Sequence, residues 1–281
     1  MEILPEPAWE GLLEILKKQK CTALLIGATD SGKSTLARYL IKKLAGEHFR
    51  VSLIDSDVGQ SILGLPGTIS MKVFTTEKET ENFIYERMFF VGSTNPAKNI
   101  PLMIDGSKKM VAISREISDI TFVDTTGLIS GEIGKALKIG KIRAIKPQYI
   151  IALQRHDEVE HILNLVEDIY IYRITPSHMA KTRDRENRVI FRKKKFFDYF
   201  SKTKVSEFLL TQNDVGFFYN GKTIRLRDTC FKDGTIIGLN HNDDTMALGV
   251  IVESTSNSII FKSPIKSLKG INRVLFGDIT I

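Results

Sequence analysis

Residues 27 to 36 read GATDSGKSTL, and the spacing Gly27-x4-Gly32-Lys33-Ser34 is that of a loop that wraps phosphates. In such a loop the backbone N–H groups of Gly27, Thr29, Asp30, Ser31, Gly32 and the Lys33-Ser34-Thr35 turn surround phosphate oxygens at the positive end of a helix. Lys33 would reach the β- and γ-phosphate oxygens, and the Ser34 hydroxyl would bind Mg²⁺. The flanks supply the required context. CTALLIG enters the loop as an apolar strand, and KSTLARYLIKKLAG leaves it with helical spacing and a Gly stop. The loop accounts for bound phosphate but not for what receives it.

Two further acidic positions bear on that question. LIDSDVGQ, residues 53 to 60, places Asp55 and Asp57 on the same side of a strand end, because side chains alternate with a period of two. Both are expected to face the phosphates, one holding metal water and the other taking a proton from an attacking hydroxyl. A hydrolase usually orients water with Gln or Glu instead, so paired acids favour a kinase with an alcohol acceptor. Asp124 closes the apolar run ITFVD, where a sheet of this type presents a carboxylate to Mg²⁺; the alternative is a capping Asp at a strand end.

Charge is concentrated rather than spread. Lys181 to Lys204 hold ten Lys or Arg against three Asp or Glu, a local +7 that equals the net charge of the whole 281-residue chain. A basic stretch on a neutral body suggests an anionic partner at one place, the alternative being a solvated helix face. No apolar run approaches the roughly 20 residues of a membrane-spanning helix, so a soluble protein without membrane contact is expected. The N-terminus lacks a signal-peptide pattern, and residues 8 to 18 read as an amphipathic helix. Cys21 and Cys230 have no metal-ligand spacing and are expected to be reduced cytoplasmic thiols.

These residues must be held by a scaffold, and the patterning describes one. RVSLIDSD, ENFIYERMFFVGST, DITFVDTTG and PQYIIALQ read as strands, with PLMIDGSKKMVAISREISD and DEVEHILNLVED as helices. Strands alternating with helices predict an α/β fold with a mainly parallel sheet covered on both faces. From about residue 206 short runs divided by Asn-Gly, Asp-Gly and Asn-Asp turns predict a small β-domain. The expected divisions are an N-terminal helical segment to residue 20, a P-loop domain over 21–205 with an Arg-rich lid near 181–204, and a β-rich unit over 206–281.

Together these motifs resemble the polynucleotide 5′-hydroxyl kinases of pre-mRNA cleavage, tRNA splicing and ribosomal RNA processing. The resemblance rests on Thr29-Asp30 before Gly32-Lys33-Ser34-Thr35, on Asp55, Asp57, Gly59 and Gln60 in the form Asp-x-Asp-x-Gly-Gln, and on FVGSTNP and DTTGLISGEIGKALKIGKI. It covers roughly residues 22 to 205 and implies a P-loop NTPase fold. The implied activity is transfer of a phosphoryl group from ATP, with Mg²⁺, to the 5′-hydroxyl ends of RNA and possibly DNA. Asp57 falls at the family's general base and Asp55 at its metal-site acid, with Gln60 positioning substrate or metal water.

RVIFR supplies the family's Arg-x3-Arg lid as Arg188 and Arg192, with Arg183 and Arg185 just upstream. The family's clasp, Thr-x-Gly-Trp, is kept as Thr125, Thr126 and Gly127, but Leu128 stands at the aromatic position and offers an apolar wall instead of a stacking face. Only about twenty residues precede the first strand, which implies a compact prokaryotic version. The rival readings are an ATP-binding scaffold of a processing complex, which has no use for a base at Asp57, and a kinase for a small alcohol, which has no use for the basic stretch. The five scattered histidines are read as surface or core residues. FFDYF is expected to pack into the domain junction and Trp9 to anchor the N-terminal helix; Gln154 and Arg155 sit where P-loop proteins often meet the nucleotide base.

Overall fold

A computed structural model describes residues 5–177, 184–201, 204–229 and 231–281. The apolar run that enters the P-loop is strand β1 (Cys21–Gly27), buried along its whole length at the centre of the parallel part of the sheet. It pairs in parallel with β5 (Ile120–Thr125) and β6 (Tyr149–Leu153). Outside these, β2 (Val51–Ser56) pairs with β5 and β7 (Tyr170–Ile174) with β6, again in parallel. Strands β1, β2, β5 and β6 are buried on both faces because helices cover both. On one side Leu36, Leu40 and Leu44 of α2 (Lys33–Gly46) and Trp9 and Leu13 of α1 (Pro7–Leu16) pack on the sheet. On the other lie α3 (Ile100–Ile117) and α4 (Gly131–Ile145).

The sheet is mixed beyond this parallel core. β3 (Thr68–Phe74) returns antiparallel to β2, and β4 (Arg87–Phe90), the part of ENFIYERMFFVGST that forms a strand, returns antiparallel to β3. Of DEVEHILNLVED only α5 (Glu160–Leu163) is regular helix. From Ser206 the chain is β-rich, as β8 (Ser206–Thr211), β9 (Gly216–Tyr219), β10 (Lys222–Thr223), β11 (Thr235–His241), β12 (Asp244–Ser254), β13 (Ser258–Ser263) and β14 (Arg273–Thr280). The Asn220-Gly221 turn joins β9 to β10 with φ of 49° and 77°, the left-handed pair that a tight hairpin requires.

This β-rich unit is not detached from the P-loop unit. β12 pairs with β4 at Thr245 and Met88, so one sheet runs through both. The seam is filled by Leu65, Met88 and Phe90 from one side and Ile236, Leu248 and Ile279 from the other. Helix α6 (Arg185–Ser201), which carries the basic stretch, inserts Phe196 into the same seam, and its Tyr199 hydroxyl accepts from the Leu248 amide at 2.9 Å. Burying each such side chain contributes about 1.5–3 kcal/mol, so the basic helix is fastened to both units by its aromatic end.

Candidate active site

The loop after β1 turns through Asp30 (φ 59°) and Gly32 (φ 90°), and α2 begins at Lys33. Glycine suits position 32, because a side chain there would be strained in the left-handed region. Lys33 is 6% exposed, and its Nζ donates to the carbonyls of Gly27 at 3.0 Å and Ala28 at 2.7 Å and to Ser31 Oγ at 3.3 Å. Burial pulls its pKa down, while the charges of Asp124, Asp57 and Asp30 push it up. A buried ammonium ringed by carboxylates is a fixed cation that phosphate oxygens can take over from the loop carbonyls.

Parallel pairing of β5 with β1 and β2 brings Asp124 to the loop. Ser34 Oγ donates to Asp124 Oδ2 at 2.5 Å, while Oδ1, inside a side chain only 1% exposed, has no hydrogen-bond partner among the described residues. Leaving a buried carboxylate oxygen unpaired costs about 1–3 kcal/mol or more, which a bound cation would relieve. Burial raises the pKa of Asp124, against the opposing influence of Lys33 and the Ser34 hydrogen bond. This hard-oxygen pair fits Mg²⁺, which takes one or two protein ligands and completes its shell from phosphate and water. Among the described residues no group of three or more His, Cys, Asp or Glu forms an all-protein cage.

Asp55 requires a correction. It was expected to face the phosphates and support the metal, but it is buried and both oxygens are occupied. Oδ1 accepts from the Asp57 amide at 3.1 Å; Oδ2 accepts from Ser61 Oγ at 2.8 Å and from the amides of Ile62 at 2.7 Å and Leu63 at 3.0 Å. Alternation holds along β2, which ends at Ser56, but the chain then turns, so Asp55 and Asp57 part company. Asp55 anchors the loop that carries Asp57. Desolvation, with Asp124 nearby, pushes its pKa up to about 7.

Asp57 is half-buried and held by one oxygen only. Its Oδ1 accepts from the amides of Gly59 at 3.0 Å and Gln60 at 3.1 Å, fixing the carboxylate beside Lys33 and Asp124. Gln60 donates its Nε2 to the Gly59 carbonyl at 2.7 Å, and its buried Oε1 has no partner among the described residues.

Thr125, Thr126 and Gly127 cross over the P-loop. A Cβ on Gly127 would lie 2.2–2.4 Å from Thr29 atoms, so the crossing admits only glycine. Leu128 is half-buried and packs with Ala28 against the core beneath, which makes its apolar wall part of the floor.

Two functional positions were not read from the sequence. Lys138 and Lys141 of α4 are both wholly buried. Lys138 Nζ donates to Thr125 Oγ1 at 2.7 Å and to the Thr126 carbonyl; Lys141 Nζ donates to Ser56 Oγ at 2.7 Å, and Ser56 in turn donates to the Asp124 carbonyl at 2.8 Å. They thereby hold the ends of β2 and β5. Desolvation lowers the pKa of both, Lys141 to about 7 and Lys138 well below its ordinary value, while the charges of Asp57 and Asp124 oppose the shift. Both lysines lie on the buried stripe of α4, formed by 134, 137, 138, 141, 142 and 145, a face that becomes evident only once the helix is packed.

Arg188 and Arg192 lie one turn apart on α6 and both look toward the loop cluster. Arg188 Nη2 pairs with Asp30 Oδ2 at 2.7 Å, and Arg192 lines a groove with Ser93, Thr94 and Asn95. Lys195 Nζ reaches the carbonyls of Ile62 at 3.4 Å and Gly64 at 3.2 Å, fastening α6 to the loop that Asp55 anchors. Arg185 is exposed at the start of α6, and Arg183 lies outside the described residues. Gln154 is occupied structurally, donating to Glu160 at 2.5 Å and accepting from the Val159 amide, which leaves it unsuited to reading a base.

Residues 27–202 match the family of the mRNA cleavage and polyadenylation factor CLP1 P-loop. The chain is 39% identical over 208 residues to polyribonucleotide 5′-hydroxyl-kinase MJ1315 of Methanocaldococcus jannaschii, covering 72% of this chain and 56% of that protein. It is 37% identical over 199 residues to polyribonucleotide 5′-hydroxyl-kinase PH0197 of Pyrococcus horikoshii, covering 70% and 54%. The match thus spans about half the length of these curated relatives. Among solved structures, Clp1p in complex with Pcf11p superposes with a TM-score of 0.77 over 97% of this chain and 79% of that one; at 12% identity this likeness concerns the fold.

Proposed function

Because the chain belongs to the CLP1 P-loop family, we propose that it is an ATP-dependent kinase that transfers the γ-phosphoryl group to the 5′-hydroxyl end of RNA, with DNA ends as a further acceptor. The observation that carries this reading is Asp57. A P-loop protein that only binds or slowly hydrolyses ATP needs Lys33, Ser34 and Asp124, but it has no use for a second carboxylate held by two backbone amides beside them. The names of the relatives from M. jannaschii and P. horikoshii support RNA as the acceptor.

In this reading the P-loop amides and Lys33 hold the β- and γ-phosphates of ATP. Ser34 and Asp124 would hold Mg²⁺, which when bound neutralises charge on the phosphates. Asp57 accepts the proton of the terminal hydroxyl as its oxygen attacks the γ-phosphorus in line. Its Oδ1 stays tied to the backbone, so Oδ2 is the atom that receives the proton. Arg192, and Arg188 once it leaves Asp30, place guanidinium charge against the transferred group, an effect of about 10³- to 10⁵-fold where such arginines have been measured. Lys138 and Lys141 keep the strand ends in place through their hydrogen bonds to Thr125, Thr126 and Ser56.

The test is incubation with γ-labelled ATP and 5′-hydroxyl RNA or DNA oligonucleotides, with Lys33→Ala and Asp57→Ala in parallel. Transfer that both substitutions abolish is expected, with ATP binding surviving only in Asp57→Ala. Tight ATP binding without transfer to any oligonucleotide would favour a nucleotide-bound scaffold.

A further inference from the structure

A cavity of about 340 Å³ lies at the seam between the two units, between β4, the start of α3, the β9–β10 hairpin and the ends of β11 and β14. Phe89 and Phe218 are among the residues that line it, and Phe276, whose ring stacks on Phe231 in the adjoining core, also borders it. Arg273 stacks its guanidinium 5.2 Å over Phe218 and pairs with Asp243 at 2.5 Å, which holds that ring's surroundings rigid. Asn240 also lines the cavity; it is 2% exposed, and its Oδ1 has no hydrogen-bond partner among the described residues. A space lined by aromatic and aliphatic side chains beside amide groups, one of them with an unanswered oxygen, suits a planar ligand that carries an N–H donor.

The cavity adjoins the reaction site through a groove. Thr94, whose carbonyl a side chain at Gly59 would meet at 3.2 Å, borders the Asp57 loop and lines a second space of about 290 Å³ with Arg192, Lys193 and Lys98. Val91 lines the aromatic cavity and Ser93, two residues on, lines this groove. Asp278 also lines this groove, accepting from Lys98 at 3.0 Å and from the Tyr219 hydroxyl at 2.7 Å, which offsets the Lys98 charge. Arg192 and Lys193 remain as the groove's cations and suit a phosphate backbone that leaves the reaction site, and the neighbouring cavity suits a base.

We propose that this cavity is a nucleobase pocket that receives a downstream base of the polynucleotide acceptor, an N–H of which donates to Asn240. The proposal rests on the kinase reading for the identity of the strand. Every base carries such a donor, adenine and cytosine on the exocyclic amino group, guanine on N1 and its amino group and uracil on N3, so the contact holds a base without selecting one.

The test measures equilibrium binding of 5′-hydroxyl oligoribonucleotides, in a length series from the dinucleotide upward, to the wild-type protein, Phe218→Ala and Asn240→Ala. In longer strands an abasic residue is moved along the sequence, and uridine is exchanged for N3-methyluridine, which lacks the N–H donor, at each place. An abasic residue at one interior position is expected to weaken wild-type binding about 5- to 150-fold, the range for one lost stacking contact. Phe218→Ala should remove most of that penalty, Asn240→Ala should remove the uridine-over-N3-methyluridine preference, and dinucleotide binding should be unchanged. Asn240→Ala deletes no hydrogen bond formed by its Oδ1 within the protein, so it guards against a folding defect in Phe218→Ala.

A penalty absent at every position, or one that persists in both variants, overturns the pocket. Phosphoryl transfer is followed on the same strands. Position-dependent binding without transfer supports the pocket and overturns the kinase reading, whereas transfer without position dependence overturns the pocket alone.

Discussion

Gly127→Ala adds a single methyl group at the crossing of the clasp loop and the P-loop. The new Cβ would lie 2.2 Å from Thr29 Oγ1, 2.3 Å from its amide nitrogen and 2.4 Å from its Cα. The hydroxyl can rotate away, but the two backbone atoms cannot. Ordinary contact begins at 3.4 Å, so one of the two loops must withdraw by about 1 Å. If the P-loop yields, the Ser34–Asp124 bond and the phosphate-facing amides are displaced; if the clasp yields, Thr126 leaves Lys138 and Asp124 moves with it. Overpacking of this size costs about 1–3 kcal/mol, which a domain stable by about 5–15 kcal/mol survives. A misplacement of about 1 Å can still cost about 10²-fold in rate. Single-turnover transfer from labelled ATP to a 5′-hydroxyl oligonucleotide should therefore fall about 100-fold, while the melting temperature drops by a few degrees and circular dichroism is unchanged. Wild-type transfer and stability in Gly127→Ala would refute the rigid crossing and the positioning role drawn from it.

Lys138→Met leaves the Thr126 carbonyl without its buried donor. An acceptor left unsatisfied there should cost about 1–3 kcal/mol in urea unfolding, and Lys138→Arg is not expected to restore it, because no added volume fits a wholly buried site. Asp124→Asn should raise the Mg²⁺ concentration needed for half-maximal transfer at least tenfold, with ATP binding in chelator far less affected, as magnesium titrations would register. In metal-free protein two buried groups should shape stability against pH. Asp55 titrates near 3.8 unfolded and about 7 folded, so its contribution declines as pH rises from about 4 to 7. Lys141 titrates near 10.5 unfolded and about 7 folded, so its contribution improves as pH rises from about 7 to 10.5. Urea midpoints measured in chelator should show a dip near neutrality, and Asp55→Asn should flatten its acid side.

Much of the fold was legible because periodicity reports which faces are buried. The run CTALLIG and the helix after it could be placed from pattern alone, as could the strand that carries Asp124. β3 and β7 were not read, although Pro66-Gly67 marks a turn just before TISMKVF; both TISMKVF and YIYRI are short runs, and pairing partners distant in sequence decide whether such runs become strands. Within the site, Lys33, Ser34, Asp57 and Asp124 were identifiable by residue type and position. Lys138 and Lys141 were not, because lysine on a helix ordinarily faces water and only the burial of the whole 134–145 stripe reverses that reading.

By itself, then, the sequence determined a phosphate-wrapping loop, the acids available to it, a concentrated basic helix and a change from α/β to β patterning near residue 206. These are local matters of spacing, period and charge. Tertiary structure alone decided that Asp55 is an anchor rather than a metal ligand, since three donors brought round by the loop after β2 occupy its Oδ2. It also decided that two lysines lie beneath the site and that the β-rich unit continues the P-loop sheet, enclosing an aromatic cavity at the seam. Each of these depends on partners dozens to well over a hundred residues apart along the chain or on the turn of a loop, and no local pattern in the sequence records such partnerships.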